Sequence, residues 1–564
     1  MAIDLPPVIP PQAWTAERVE HAAAKLPVAM YEVGGYSLHI TGNRHLSADQ
    51  LDLLMRNAKT PAQAINAINQ AYYQLGHLLT TVYFAQRGDV IYAHVVHGRL
   101  ADVKAPDSIR GYFSGLIGDD DLRRREFDAQ RVLANLKSDR AGMDYSVSYQ
   151  VGKDPSALTL VLNEQSQQDY DPTEFSFAAN NYGNRFLGRY FAGGSVTHNF
   201  RNGLEAQFSY DRALTEFGEV NGGDFYDGYT FRLNSPSPWG LYGFEARRVD
   251  YARFVDARVQ SPDDPLFTLD ACALQALCSI LGIDDGLIVV GGGTSIEDRR
   301  LALEAETTVL ALTGEQVLLS DAFYRLTFTQ RLEDVDSRID VKRGQNLLDE
   351  PQQSLELGLK YNQLMRLWGL PSKLAVQGFV DLGFKSDSGT LGTDDTEGAV
   401  NLGRRSSEFT IFKPRLSFQT SLTERVELTL SYSGQYSDNT QLPLQQQYFL
   451  GGNNGLSAYM PGVLVGDSGH YAKATLAAVE LPIAGLRFTP AFYVERGEAW
   501  FENASGADGD TRMLSDIGVS FRFSYQELME TELVIARPLS DQNIDEEVRE
   551  AAEADFFWRL RVNF

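Results

Sequence analysis

The 564-residue sequence has no apolar run approaching the roughly 18–20 residues that a membrane-spanning helix requires. Its best stretches, such as Gly286-Leu287-Ile288-Val289-Val290, last only a few residues. A helical membrane protein is therefore excluded. A transmembrane β-barrel stays open, because its strands hide lipid-facing residues behind a period of two and give an average mean hydropathy, here −0.25. Positive charge is also scarce: 50 Lys and Arg stand against 75 Asp and Glu, a net −25. Nucleic acid is not an expected partner, since binding phosphates takes clustered cations. Cysteine is nearly absent. Cys272 and Cys278 read as a small disulfide loop in an oxidising envelope compartment, with two reduced thiols in an apolar loop as the alternative. No C-x-x-C motif and no His spacing supports a metal site. Enzyme signatures are missing as well: there is no G-x-S-x-G, no H-E-x-x-H and no P-loop lysine. The cluster Gly291-Gly-Gly-Thr294 precedes no helix and reads as a turn. The expectation is a protein without catalytic activity, cofactor or metal. No basic segment followed by an apolar core marks a signal peptide at the N-terminus, yet the barrel pattern demands export, so a processed mature chain fits better.

What the sequence does have is aromatic residues and alternation. It holds 26 Tyr and 31 Phe, of the kind that barrels place in girdles at both membrane interfaces. From about Tyr170 onward, alternating segments follow one another and helical signals nearly vanish. Val426, Leu428, Leu430 and Tyr432 share one strand face, with Glu427, Thr429, Ser431 and Ser433 on the other. Ile517, Val519, Phe521, Phe523 and Tyr525 repeat the pattern. The chain ends with Phe556, Trp558, Leu560, Val562 and Phe564 against Arg559, Arg561 and Asn563. One apolar and one charged face is what a strand between lipid and a watery lumen requires. A soluble β-sandwich also alternates, but its faces carry fewer charges and it seldom reaches such length. At roughly 10 residues per strand plus loops, this region predicts about 16 antiparallel strands around an aqueous lumen.

The first 168 residues differ. Residues 1–12 are Pro-rich and expected to be extended. Thr15 is a candidate N-cap for a helix over 16–26 that Pro27 stops. Two segments, 36–100 and 101–168, then carry a similar order of elements. In the first, a strand at Tyr36–Ile40, helices over 47–57 and 61–76, and strands at Leu79–Ala85 and Val90–Val96 are expected. In the second, the pattern suggests a strand from Ser108 to Ile117, a helix from Arg123 to Asn135, and strands at Tyr145–Tyr149 and Ala157–Asn163. Two such α+β units make an internal repeat.

The motif series at 448–500 carries a resemblance. Tyr448-Phe-Leu-Gly-Gly-Asn-Asn-Gly-Leu-Ser-Ala-Tyr459, Gly466-Asp-Ser-Gly469, Glu480-Leu-Pro482 and Tyr493-Val-Glu495-Arg-Gly497 with Ala499-Trp500 resemble the in-folded segment of two-partner secretion transporters, the haemolysin-activator-like TpsB family related to the BamA assembly factor. The resemblance implies two periplasmic POTRA domains at 36–100 and 101–168, then an outer-membrane barrel at 169–564 with a loop folded inward near 451–470. Residues 1–35 are expected as an extension whose helix can plug the lumen. It also implies a function: secretion of a large TpsA-type exoprotein, recognised by its amphipathic N-terminal domain, across the bacterial outer membrane. A BamA-like insertase or lipid-handling relative is the alternative. Gating is expected of Gly451, Gly452, Leu456, Ser457, Ala458, Tyr459, Gly466, Asp467 and Gly469, with Glu495 and Gly497 of the strand motif as lumen partners. Partner binding is expected near Tyr112, Phe113, Arg123, Arg124 and Arg125, and Phe564 resembles the terminal signal read by the barrel-assembly machinery. Two departures stand out. Leu456-Ser457-Ala458-Tyr459 replaces the family's Val-Arg-Gly-Tyr, so Glu495 lacks its arginine and needs water, Arg487 or another partner. The span from Pro27 to Gly35 reaches at most about 30 Å, short for a helix tethered inside the lumen.

Overall fold

In the computed structural model of the chain, the described residues are 3–152, 154–183, 188–214, 225–260, 267–270, 287–289, 296–341, 346–392, 404–452, 455–483, 485–503 and 510–564, with backbone alone at 253–302, 483 and 547. Cys272 and Cys278, and with them the proposed disulfide, lie outside these residues, as does Gly291–Thr294.

Alternation turns into a closed wall. The described residues form a sixteen-stranded antiparallel barrel running from Thr173–Asn180 to Phe556–Asn563, as the length and period predict. Residues such as Phe177, Phe231, Leu312, Leu359, Leu416 and Phe492 stay well exposed on the outer face. Such a continuous apolar belt on a soluble protein would drive association, whereas in a bilayer it is buried. The inner face is ionic. Arg331 pairs with Glu245 at 3.1 Å and Glu333 at 2.7 Å, Lys413 with Asp381 at 2.8 Å, and Arg559 with Glu532 at 2.9 Å. Closure comes from antiparallel pairing of the last strand with the first, Arg559↔Asn180 to Asn563↔Ser176. At its end the Phe564 N–H donates to the Phe175 carbonyl at 2.8 Å, leaving the Phe564 side chain exposed.

Two α+β modules precede the wall. The first holds a five-stranded sheet in the order Gln12–Ala13, Thr80–Arg87, Val90–His97, Tyr36–Thr41, Val28–Val33. Helices Ala48–Asn57 and Pro61–Gln74 cover one face. Ser47 and Gln50 form a capping box, and Thr60 caps a helix that opens on Pro61, whose missing N–H is no loss at that position. Leu51, Ile65, Ile68 and Tyr72 pack onto Leu38, Ile40 and Val82. The second module has strands Arg99–Lys104, Ala157–Ser166 and Met143–Val151 with helix Arg124–Ala141.

The structure corrects two local expectations. Residues 108–117 are not a strand but helix Asp107–Phe113 and a 3-10 turn at Ser114–Leu116. Ile109, Tyr112, Phe113 and Leu116 sit at i, i+3, i+4 and i+7, a helical stripe that is buried. The N-terminal helix, Ala16–Ala23, lies outside the lumen. It packs on strands Thr80–Arg87 and Val90–His97, with Val19 fully buried. Trp14 stacks on Tyr83 at 4.0 Å and Arg18 covers the Trp14 ring at 4.3 Å. Because side chains alternate, Tyr83 points away from the Val82 core, so the helix covers the opposite sheet face. The short Pro27–Gly35 link suits that position.

The candidate gating site

The segment between strands Val426–Ser437 and Ser468–Ala478 folds back inside the barrel. Its spine is a short hairpin, Tyr448–Leu450 paired with Leu464–Gly466. Glycines make the tip. Gly451, Gly452 and Gly455 take positive φ, and Gly452 donates to the Tyr459 carbonyl at 2.8 Å. Leu456 also sits at φ +62°, a left-handed conformation costing a side-chain-bearing residue roughly 1–2 kcal/mol. The berth repays that strain. The Leu456 N–H donates to Glu495 Oε2 at 2.7 Å and the Ser457 hydroxyl to Glu495 Oε1 at 2.8 Å. Tyr471 Oη donates to the same carboxylate at 2.5 Å, and Lys473 Nζ reaches it at 3.0 Å. The Ala458 N–H donates to Asp516 Oδ2 at 3.0 Å.

Register explains this convergence. Lys473 lies directly opposite Glu495, and Glu495 directly opposite Asp516, so three neighbouring strands present a cation and two carboxylates in one row. Lys473 also stands 3.9 Å from the Tyr493 ring centre. It therefore supplies the charge that the missing arginine would bring. Arg487, the other cation considered, is engaged elsewhere, with Glu480 at 3.7 Å and the Gln526 carbonyl at 2.9 Å. Arg496 lies on the face away from Glu495 and pairs with Glu498 at 2.6 Å.

The wall is shaped to receive the loop. A Cβ on Gly497 would stand 2.5 Å from Leu450 Cδ1, and one on Gly469 would stand 2.3 Å from a Tyr448 ring carbon. Asp467 is fully buried and accepts from the Leu442 N–H at 2.8 Å and the Glu502 N–H at 3.0 Å, pinning both flanks. A second segment closes over the tip. Helix Glu546–Ala552, in the loop before the last strand, leads into Glu553, which bridges Tyr459 antiparallel. The Met460 N–H donates to the Ala552 carbonyl at 2.7 Å and the Ala554 N–H to the Ala458 carbonyl at 2.8 Å. Nothing in the sequence pattern pointed to that clamp or to Lys473, because both depend on contacts distant along the chain.

The residues expected to bind a partner sit elsewhere. Tyr112 and Phe113 are buried, and Tyr112 Oη donates to the Pro236 carbonyl near the end of barrel strand Phe225–Ser237 at 2.7 Å. Burial pushes the Tyr112 phenol up to about 12. These rings join the second module to the barrel, as does Arg140, paired with Glu205 at 2.9 Å. Arg124 pairs with Asp128 at 3.5 Å, while Arg125 is exposed. Arg123 belongs to a cluster between the modules. His45, His77 and Asp121 converge closely enough to hold a cation. However, Arg123 Nη1 stands 2.8 Å from His77 Nε2 and Arg123 Nε 2.8 Å from Asp121 Oδ2, so a guanidinium already fills the place of a metal.

Residues 324–522, which include the in-folded loop and its berth, match the family model of haemolysin secretion/activation proteins ShlB/FhaC/HecB. That match spans about a third of the chain. The fold of the chain as a whole resembles several solved structures at low sequence identity. CdiB from Escherichia coli superposes with a TM-score of 0.64 at 15% identity, over 97% of this chain and 96% of that one. CdiB from Acinetobacter baumannii gives 0.58 at 13%, over 95% and 90%. BamA from Haemophilus ducreyi lacking POTRA domains 1–3 gives 0.50 at 12%, over 95% and 100%. No curated protein matches the sequence. The ShlB/FhaC/HecB match covers the wall strands carrying Lys473, Glu495 and Asp516, so the carboxylate row lies within the part of the chain that the family model describes.

Proposed function

We propose that this outer-membrane transporter carries a large partner exoprotein through its lumen, after recognition by the two modules on the periplasmic side. Gly451 to Gly469 with Glu495 would form its gate. The observation that carries the gate is the seating of Leu456, Ser457 and Ala458 on Glu495 and Asp516 inside a charged, strand-lined lumen. Charge-assisted hydrogen bonds and the packing of Leu456, Tyr459 and Leu464 against Tyr493, Leu514 and Phe557 hold the loop together, so it would leave as a unit. Short turns such as 238–239 and 368–369 lie at the module end and long connections such as 438–467 at the other, the arrangement of barrels whose long loops face outside. Folding of the exported chain outside the cell would supply the drive.

The test is reconstitution in a bacterial outer membrane together with a candidate exoprotein encoded beside this chain. Appearance of that exoprotein in the medium only when the transporter is present is the expected result. Export of equal amount without the transporter, or retention in the periplasm with it, would sink the reading.

A further inference from the structure

The N-terminal extension lies along the free edges of both module sheets. Ile3, Pro6 and Ile9 are buried while Asp4, Pro7 and Pro10 face solvent, the three-residue period of a polyproline II helix. At one end Ile3 bridges Tyr145 in parallel, on the edge strand Met143–Val151. At the other, Gln12 and Ala13 pair in parallel with Tyr83 and Phe84, on the edge strand Thr80–Arg87, and the Trp14 N–H donates to the Phe84 carbonyl at 2.8 Å. Between these points side chains of the first module hold its backbone, and Asn135 of the second holds its start. Tyr73 Oη donates to the Pro6 carbonyl at 2.8 Å, Asn69 Nδ2 to the Ile9 carbonyl at 2.7 Å and Thr81 Oγ1 to the Pro10 carbonyl at 3.2 Å. Asn135 accepts from the Ile3 N–H at 2.6 Å. Apart from the side chains of Ile3, Leu5, Pro6 and Ile9, what is read here is main chain rather than sequence.

The resident segment fits this groove incompletely. Two edge strands of eight and nine residues are paired at only three positions between them. Pro6, Pro7, Pro10 and Pro11 cannot donate to a ladder. Asn69 exposes the shortfall most directly: it is 2% exposed and its Oδ1 has no hydrogen-bond partner. The same amide already gives its N–H to Ile9, and the next two residues, Pro10 and Pro11, have no N–H to return. A buried amide half-satisfied in this way is costly. An occupant that brings an N–H within reach of that oxygen would satisfy both ends of Asn69.

We propose that the edge now held by residues 3–14 is the docking groove for an extended, proline-poor apolar segment of the exported partner, which enters parallel to Thr80–Arg87 and displaces the chain's own extension. This rests on the secretion reading above, and it assigns the extension the part of a weak resident competitor. Main-chain donors and acceptors along the two edges would give affinity, and the Ile3 and Ile9 sites would select apolar side chains. Helix Ala16–Ala23 follows directly, so its seat on the sheet would loosen with the displaced segment.

Two measurements on the full-length chain in detergent test this. The first uses a labelled peptide of residues 3–14 and its P10V/P11T counterpart, with binding read by fluorescence anisotropy. Both should bind an I3D/I9D chain, whose extension is detached, at least ten-fold more tightly than the intact chain. The P10V/P11T peptide should exceed the natural one by ten-fold or more. Equal affinity of the two peptides, or equal binding to intact and I3D/I9D chains, overturns the proposal. The second measurement avoids those buried substitutions. An A13C/F84C pair, in a C272S/C278S background, joins directly opposed positions of neighbouring strands, within disulfide reach. The oxidised form should bind neither peptide and should export partner at least ten-fold less than the reduced form. Equal export by both forms defeats the displacement idea while leaving secretion intact. Peptide binding needs no export, so it separates this inference from the proposed function.

Discussion

Replacing Lys473 by Met should loosen the in-folded loop, because seating the loop buries the Glu495 carboxylate that Lys473 neutralises from the next wall strand. The substitution keeps the aliphatic stem beside Tyr493 and removes the charge that stands 3.0 Å from Glu495 Oε1. Removing one partner of a fully buried pair costs roughly 3–5 kcal/mol, since the remaining charge is left uncompensated. Two features reduce that here. Lys473 is 28% exposed on its side chain, and Glu495 keeps the Leu456 N–H, Ser457 and Tyr471 as donors. Working against this, Asp516 lies in register beside Glu495 and its Oδ1 has no partner, so the two carboxylates lose their nearest cation together. A net cost of about 2–3 kcal/mol follows, a 30- to 150-fold rise in the open population at about 1.4 kcal/mol per decade. The assay is single-channel conductance in planar bilayers, paired with chymotrypsin or proteinase K cleavage at 455–462. Longer and more frequent open events with faster cleavage are expected. Conductance and cleavage indistinguishable from the parent would refute the claim that Lys473 stands in for an arginine. A double-mutant cycle with Glu495→Gln should return a coupling of about 1 kcal/mol or more, as contacting charges do.

Three further outcomes follow from the same geometry. Ser457→Arg brings a second cation to Glu495, so it should restore most of the closure lost in Lys473→Met; a double variant that leaks as freely as the single one contradicts this. Ala554→Pro deletes the N–H that donates to the Ala458 carbonyl and leaves that acceptor unpaired, at a cost of about 1–3 kcal/mol. Cleavage at 455–462 should then quicken several-fold, and an unchanged rate would remove the terminal loop from the clamp. In the first module, burial holds the His97 imidazole at about 4 instead of its ordinary 6.5, and burial also lowers His45 and His94. A depressed folded-state value means that the unfolded chain takes up protons first as pH falls. The stabilising effect is complete above about pH 6.5 and is lost progressively toward pH 4. Hydrogen-exchange protection of Thr80–His97, corrected for intrinsic rates, should decline over that window; protection that grows would reverse the assignment.

The barrel was legible because a lumen and a bilayer impose opposite solvents on alternate residues, and that period survives in sequences such as 426–433 and 556–564. Chain length then set the number of strands, and capping residues such as Ser47 and Thr60 set the helix starts of the first module. The second module was read less well. Ile109, Tyr112, Phe113 and Leu116 satisfy a helical stripe, yet in so short a stretch their apolar character resembles a buried strand equally. Only tertiary structure could decide which surfaces those residues met, and Tyr112 turned out to face the end of the barrel strand at Pro236.

Glu495 was visible as an acid in need of a cation, but the sequence could not say which one. Lys473 lies 22 positions earlier, and what makes it the partner is strand register, a property of the closed sheet rather than of local sequence. The same holds for the Ala552–Ala554 clamp on the tip and for the seat of helix Ala16–Ala23 on the module sheet. Periodicity and composition thus determined that this chain is a charged-lumen barrel with an α+β front end, because they record which solvent each residue must meet. The pairing of charges, the seating of the loop and the course of the N-terminal extension were decided only by the fold, because each joins groups whose proximity no local pattern encodes.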